Sequence, residues 1–259
     1  MLAALLADGH GSPSCFRSHR GARGAVAVTR QLCDRLLGLG RPARIKRWAE
    51  ERLPRELVQR WRERVARDLQ RQPFTAAEWA ALDPRARQRV ARTPALAYGS
   101  TLLATVVAPD FVLYAQLGDG DILAVSAAGE VARPLPRDAR LLGDATTSLC
   151  SERAEDEIQL RFQTLAGAPP ALILAATDGY ANSFRDEDGF RQAASDFWAL
   201  LRDGEEATVR THLRAWLTET SRQGSGDDIS LALLWHVGRD SQIYSPTADR
   251  APSAIEVLS

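Results

Sequence analysis

The sequence predicts an α+β fold in one domain, and three features of its hydrophobic pattern predict it. Up to about residue 92, apolar residues recur at helical spacing between Arg-rich faces. From residue 99 the pattern becomes that of short strands punctuated by Gly, Pro and Asp. Between about 187 and 220 helical spacing returns, before a last apolar run at 229–235. Strand meanders separated by helical blocks are the α+β arrangement.

The elements follow in order. The run Ala3-Ala4-Leu5-Leu6-Ala7 reads as a strand that stops at Asp8-Gly9-His10-Gly11, and a polar turn, "SPSCFRSHR", comes next. In "GARGAVAVTRQLCDRLLGLG", Ala25, Val28, Leu32 and Leu36 lie on one helical face, and Gly38 and Gly40 mark the stop. Residues 43–71 hold one or two helices, with Pro54 suited to a first turn and Leu57, Trp61, Val65 and Leu69 forming a stripe at steps of four. "TAAEWAALDPRARQRVART" reads as a short helix and a linker. Three strands are expected from "GSTLLATVVAPDFVLYAQLGDGDILAVSAAGEVARPL", and two more from "EIQLRFQTL" and "ALILAAT". Helices at about 187–202 and 205–220 follow, the second with Val209, Leu213, Trp216 and Leu217 on one face, and "ISLALLWHV" is the closing strand. The domain therefore spans 1–238, and the aperiodic stretch 239–259 reads as a mobile tail.

Charge excludes less than it suggests. Lys+Arg and Asp+Glu are equal at 33 each. The first hundred residues nevertheless carry 20 basic and 9 acidic side chains, with the excess concentrated in 41–92, where Arg fills the outer faces of amphipathic helices. That is a solvated surface rather than a nucleic-acid arm, so no nucleic-acid partner is expected. The N-terminal apolar stretch is too short to span a bilayer and lacks the basic flank of a signal peptide, so no membrane association is expected either. Cys15, Cys33 and Cys150 show no pair spacing, which fits a reducing cytoplasm.

The chemistry lies in four acidic turns. Asp8 and Asp178 each end an apolar run and precede Gly, Asp119 sits in "QLGDGD", and Asp227-Asp228 precede the last apolar run. Singly, each Asp-Gly is a turn signal. Together they place carboxylates at four strand ends, where a shared sheet edge would cluster them. Clustered carboxylates repel unless a cation neutralises them, and hard oxygen ligands suit Mg²⁺ or Mn²⁺. An EF-hand reading of Asp119–Glu130 fails, because the fifth and sixth positions are Leu123 and Ala124 where the loop needs an oxygen ligand and Gly.

These residues resemble the metal-dependent protein phosphatases of the PPM, or 2C, type. "ADGHGS" resembles the family's Asp-Gly-His-Gly motif, "YGSTLLATVV" its Gly-Ser-Thr strand and "YAQLGDGDILAV" its Gly-Asp hairpin. "LILAATDGYAN" and "SGDDISLALL" resemble its later Asp-Gly and Asp-Asn segments; the order matches over residues 3–236, in the form of the bacterial branch. The resemblance implies a four-layer αββα sandwich, two antiparallel sheets flanked by helices, with a two-metal centre binding Mn²⁺ or Mg²⁺ at one end. It implies that Asp8 bridges both metals, that the Gly9 carbonyl binds one, and that Asp178 and Asp227 complete the first site. Asp119, with Asp178, matches the position of a third metal in some members, and His10 matches the histidine proposed as general acid. The implied reaction is hydrolysis of phosphoserine and phosphothreonine in a protein substrate, with a cognate Ser/Thr kinase as a further partner. Two metals lower the pKa of a water and clamp an in-line displacement at phosphorus, so no covalent phospho-enzyme is needed.

The sequence also departs from the family. Members carry a phosphate-binding Arg and a Glu-Asp pair some way before the Asp-Gly-His motif, and here Met1 stands seven residues before Asp8. The expectation is a late-assigned start or a reduced form with an unpaired strand edge. Asp121 stands near the family's hairpin Arg, and Asp228 replaces an Asn. Arg17, Arg20 or Arg23 is the alternative contact for phosphate. The competing functions are a phosphatase-like binding module of reduced activity and a hydrolase of small phosphate esters.

Overall fold

A computed structural model describes residues 1–138, 146–166 and 169–236. The expected tail at 239–259 lies outside the described residues.

The chain opens on β1 (Leu2–Leu6) and a 3-10 turn at Pro13–Cys15. Helix α1 (Ser18–Leu37) buries Ala25, Val28, Leu32 and Leu36, the expected stripe. The 43–71 region is two helices, α2 (Pro42–Glu51) and α3 (Leu53–Arg71), each with proline in its first turn, where the missing N–H has no helical partner to lose. Leu57, Trp61 and Val65 of α3 are buried, while Leu69 at the end of that stripe is only half-buried. The expected linker after residue 80 is helical instead. Thr75 and Glu78 form a reciprocal cap on α4 (Ala76–Ala80). The Asp83 carboxylate accepts from the Arg85 and Ala86 N–H groups at 2.8 and 2.9 Å and starts α5 (Pro84–Arg92). Side-chain caps of this kind start helices that hydrophobic period alone does not reveal.

Then come β2 (Leu102–Val107), β3 (Phe111–Leu117), β4 (Asp121–Val125) and a two-residue β5 (Val131–Ala132). The turn between β3 and β4 takes its positive φ, +101°, at Gly118 rather than at the Gly that follows Asp119. A one-turn α6 (Ala154–Glu157) precedes β6 (Gln159–Thr164) and β7 (Leu172–Ala176), and α7 (Asp178–Ala181) begins at the Asp-Gly itself. Helices α8 (Glu187–Arg202) and α9 (Glu206–Gln223) lead to β8 (Leu231–Trp235). On the stripe expected on α9, Val209 is buried and Leu213 and Leu217 are half-buried against the same cluster, while Trp216 is exposed and stacks on His212.

The strands form two antiparallel four-stranded sheets, ordered β1-β2-β3-β6 and β5-β4-β7-β8. Successive residues point to opposite faces, and both faces of each sheet are covered. Leu102 and Val106 face a cluster with α1, α2 and α3, while Leu103 faces the layer between the sheets. On the other sheet Leu172 and Leu174 face α8 and α9, while Ile173 and Ala175 meet Ala4, Leu6 and Tyr114 in the middle. These are the four layers of an αββα sandwich. Burial on both faces is why β7 and β8 read as unbroken apolar runs, whereas the edge strand β6 alternates.

The register decides where the site lies. Leu6 pairs Leu103, Leu102 pairs Leu117, and Asp121, Ala176 and Leu231 line up across the second sheet. So β1, β3 and β7 run towards the end of the sandwich from which β2, β4 and β8 run away. Asp8, Asp119, Asp178 and Asp227 all fall in the turns at that end.

Candidate active site

Asp8 is fixed through its backbone. Its N–H donates to Thr101 Oγ1 at 3.0 Å, and the Thr101 N–H donates to its carbonyl at 2.9 Å. Gly9 bridges Ser100, and the His10 N–H donates to the Gly99 carbonyl at 3.2 Å. The Gly-Ser-Thr segment before β2 thus extends the β1 ladder and holds the Asp-Gly-His turn in place. The Gly9 N–H donates to Asp8 Oδ1 at 2.8 Å, which orients the carboxylate.

Asp178 and Asp227 are brought together by the turn at Gly179. A Cβ on Gly179 would lie 2.5 Å from the Asp228 carbonyl oxygen and 3.3 Å from Asp227 Cβ, so only glycine allows this approach. Ser183 and Ser225 hydroxyls both donate to the Gly179 carbonyl, at 2.7 and 2.8 Å, and tie the two turns. The Thr177 N–H donates to the Ser230 carbonyl at 3.0 Å, and the Ser230 N–H donates back to Thr177 Oγ1 at 2.9 Å. Asn182 Nδ2 donates to Asp178 Oδ2 at 3.2 Å.

The electrostatics record the convergence. Burial, and next the charge of Asp178, push the Asp8 carboxyl up to about 6; Asp227 and Asp119 add to this, against the Gly9 hydrogen bond. Burial, then Asp119 and Asp227, raise Asp178 as well. Burial lowers the His10 imidazole, against the opposing pull of Asp119, and its Nε2 is buried without a hydrogen-bond partner. Yet among the described residues no three His, Cys, Asp or Glu side chains are gathered closely enough to hold an ion. The two observations agree once range is considered. Coulombic influence in a partly buried site extends over several ångströms, whereas Mg²⁺ takes ligands at about 2.0–2.1 Å. The carboxylates share an edge but not a closed coordination sphere. The donor set fits a hard divalent cation, being oxygen-only and held under mutual repulsion that a cation would reverse.

A cleft of about 440 Å³ opens beside Asp119, lined by Asp121, Asn182, Glu187 and Arg137. Asp121 is buried against the Arg133 guanidinium. Arg133 Nη2 is 2.9 Å from Glu187 Oε2, and Arg137 Nη2 is 2.6 Å from the same oxygen. Nothing in the spacing of residues 121, 133 and 187 signals this network.

The alternative phosphate contacts do not hold. Arg17 is 4% exposed and spends its donors internally: Nε and Nη2 grip Glu78 at 2.7 and 2.9 Å, and Nη1 and Nη2 reach the Gln72 and Pro73 carbonyls and the Tyr98 hydroxyl. Arg20 is held by Asp68 and Gln72. Arg23 lines a groove with Arg64 and Asp68 rather than the cleft at Asp119. Among the described residues, the arginine that lines the cleft is Arg137, which the sequence does not single out.

The Arg17–Glu78 fork gives a pH prediction. Hydrogen bonding to Arg17 holds Glu78 down at about 2, from an ordinary 4.5. A depressed carboxyl contributes stability that is fully present above its unfolded pKa and is lost as pH falls through its folded one. Thermal melts of wild type are therefore expected to lose Tm between about pH 4.5 and 2 more steeply than those of Glu78→Gln. Parallel pH profiles would show that the fork contributes nothing.

Residues 1–218 match the protein phosphatase 2C family. This chain belongs to that family. The structure of a bacterial serine phosphatase superposes with a TM-score of 0.58 at 14% identity, covering 92% of this phosphatase-family chain and 87% of that one. The Staphylococcus aureus serine/threonine phosphatase Stp1 gives 0.55 at 13% identity, covering 91% and 84%. The Mycobacterium tuberculosis serine/threonine phosphatase PstP/Ppp gives 0.53 at 14%, covering 90% and 88%. At these identities the likeness is one of fold. No curated protein matches the sequence. No helix among the described residues of this 2C-family chain is long and apolar enough to cross a membrane.

Proposed function

We propose that the chain is a metal-dependent phosphatase of phosphoserine and phosphothreonine in proteins. One observation carries the reading: carboxylates from four separate strand ends converge at one end of the sandwich, where burial, and next the charges of Asp178, Asp227 and Asp119, push Asp8 up to about 6. Asp8, Asp178 and Asp227, with the Gly9 carbonyl, would hold Mn²⁺ or Mg²⁺, and Asp119 with Asp178 a further ion. A cation held there supplies positive charge for the phosphoryl group and acidifies the attacking water. The chain's own residues do the rest. The Gly9 N–H orients Asp8. His10, next to Gly9 in the same turn, would give a proton to the leaving serine or threonine alkoxide. The partners are then a phosphorylated protein and the kinase that makes it.

The test is hydrolysis of a phosphothreonine peptide by the purified chain with Mn²⁺ and with EDTA. Turnover that needs the metal is expected. Turnover indifferent to EDTA removes the reading. A second reading, a phosphopeptide-binding module, is favoured by the open spacing of the carboxylates; binding without any turnover in Mn²⁺ selects it.

A further inference from the structure

A second groove, of about 770 Å³, lies on the Arg-rich half of the molecule, lined by Arg62, Arg89, Arg92, Leu96, Cys150 and Glu152 among others. Its charges are differently held. Arg62 is anchored, donating to the Ser151 and Glu152 carbonyls at 2.7 and 2.9 Å. Arg89 and Arg92 occupy the exposed last turn of α5 and have no hydrogen-bonded or ion-paired partner among the described residues. The helix dipole accounts for cations at a C-terminus. It does not account for two unpaired guanidinium groups and an anchored third lining one groove.

The groove ends against the candidate site. The Leu149 N–H donates to the Ser100 carbonyl at 3.0 Å, and Gly9 bridges the same Ser100 from its other side. One segment, 99–101, therefore separates the groove wall from the Asp-Gly-His turn. At Gly99 the separation is a single atom's width: an added Cβ there would lie 2.6 Å from His10 Cδ2 and 3.3 Å from Cys150 Sγ. His10 and a groove-lining thiol press on the same backbone position.

We propose that this groove docks the acidic residues flanking the phosphorylated serine or threonine of a protein substrate, an inference that rests on the phosphatase reading above. Three guanidinium groups complement carboxylates, and Pro94, Ala95 and Leu96 give an apolar floor that suits peptide side chains. Glu152 also lines the groove, so the three guanidinium groups leave it a net positive charge that suits a short acidic flank.

The experiment is fluorescence anisotropy in EDTA, which needs no turnover. Its probes are a labelled phosphothreonine peptide with flanking Glu and the same peptide with Gln. The acidic peptide is expected to bind more tightly, with an advantage that shrinks as salt rises. Arg89→Gln/Arg92→Gln is expected to weaken its binding by about three- to tenfold, whereas Arg85→Gln, on the same helix but outside the groove, changes nothing. Circular dichroism confirms that each variant is folded. Equal binding of the two peptides, or an unchanged affinity in the double variant, overturns the proposal. So does tighter binding of a single-stranded oligonucleotide that the double variant abolishes, which would make the groove a nucleic-acid site. Metal-dependent hydrolysis of p-nitrophenyl phosphate by wild type, measured alongside, reports separately on the phosphatase reading.

Discussion

Asp178→Asn is expected to lower Mn²⁺-dependent hydrolysis of a phosphothreonine peptide by about 10² to 10³-fold or more, the scale of losing one electrostatic contact to a reacting centre. The same substitution is expected to leave the fold intact. Asparagine keeps the shape and can still accept from Asn182, which donates to Asp178 Oδ2 at 3.2 Å. The turn around it is held by backbone and serine hydrogen bonds that do not involve the carboxylate. Removing the charge relieves repulsion, because burial and the charges of Asp119 and Asp227 disfavour the ionised form of Asp178. The metal-free variant should therefore melt no lower than wild type at neutral pH. Activity and melting temperature are the two measurements. Full turnover in the variant would sink the assignment of Asp178 to a cation. Lost turnover with a much lower Tm would show that Asp178 supports the fold rather than the reaction.

What made Asp178 legible is that a strand end is a local property. An apolar run stopped by Asp-Gly identifies it, and the pairing of Ala176 with Asp121 and Leu231 places it at one edge. Asp8 and Asp119 read in the same way, and Asp227 by its place just before the last apolar run. Their mutual distances were not legible, since these depend on Gly179 letting Asp228 approach and on Thr101 fixing Asp8. Arg17 is the opposite case. It reads as a candidate phosphate contact, yet it is buried because Glu78, the carbonyls of Gln72 and Pro73, and Tyr98 converge on it from residues 72–78 and from the turn before β2. No periodicity encodes a polar hub assembled by tertiary structure. The second half of the α4–α5 region was misread for a related reason: Asp83 starts a helix through its side chain, in a stretch whose hydrophobic signal is thin. The α9 stripe is right at Val209, Leu213 and Leu217, which pack on the second sheet's helical layer, while Trp216, at the margin of that face, is left exposed.

Trp61→Ala is expected to destabilise the protein by about 3–5 kcal/mol, the cost of truncating a buried aromatic to alanine. Trp61 is 0% exposed and sits where α3 packs on α1, among Ala25, Leu57, Val58 and Val65. Its Nε1–H donates to the Gly21 carbonyl at 3.0 Å. Two losses are possible, and they are unequal. Gly21 lies within α1, so its carbonyl keeps a helical partner when the indole is gone. The hydrogen bond then contributes no orphaned group, and its net loss is about 1 kcal/mol. The larger loss is the cavity, which two helices and a sheet cannot close without moving together. Against a typical total of about 5–15 kcal/mol this is a large share, and the Tm should fall by on the order of 10 °C. Trp61→Phe separates the two contributions, because it removes the donor while filling most of the space; it should cost well under half as much. Denaturant melts of both variants measure this. A loss below about 0.5 kcal/mol in Trp61→Ala, the range of surface substitutions, would mean that α3 does not close the helical layer over the first sheet.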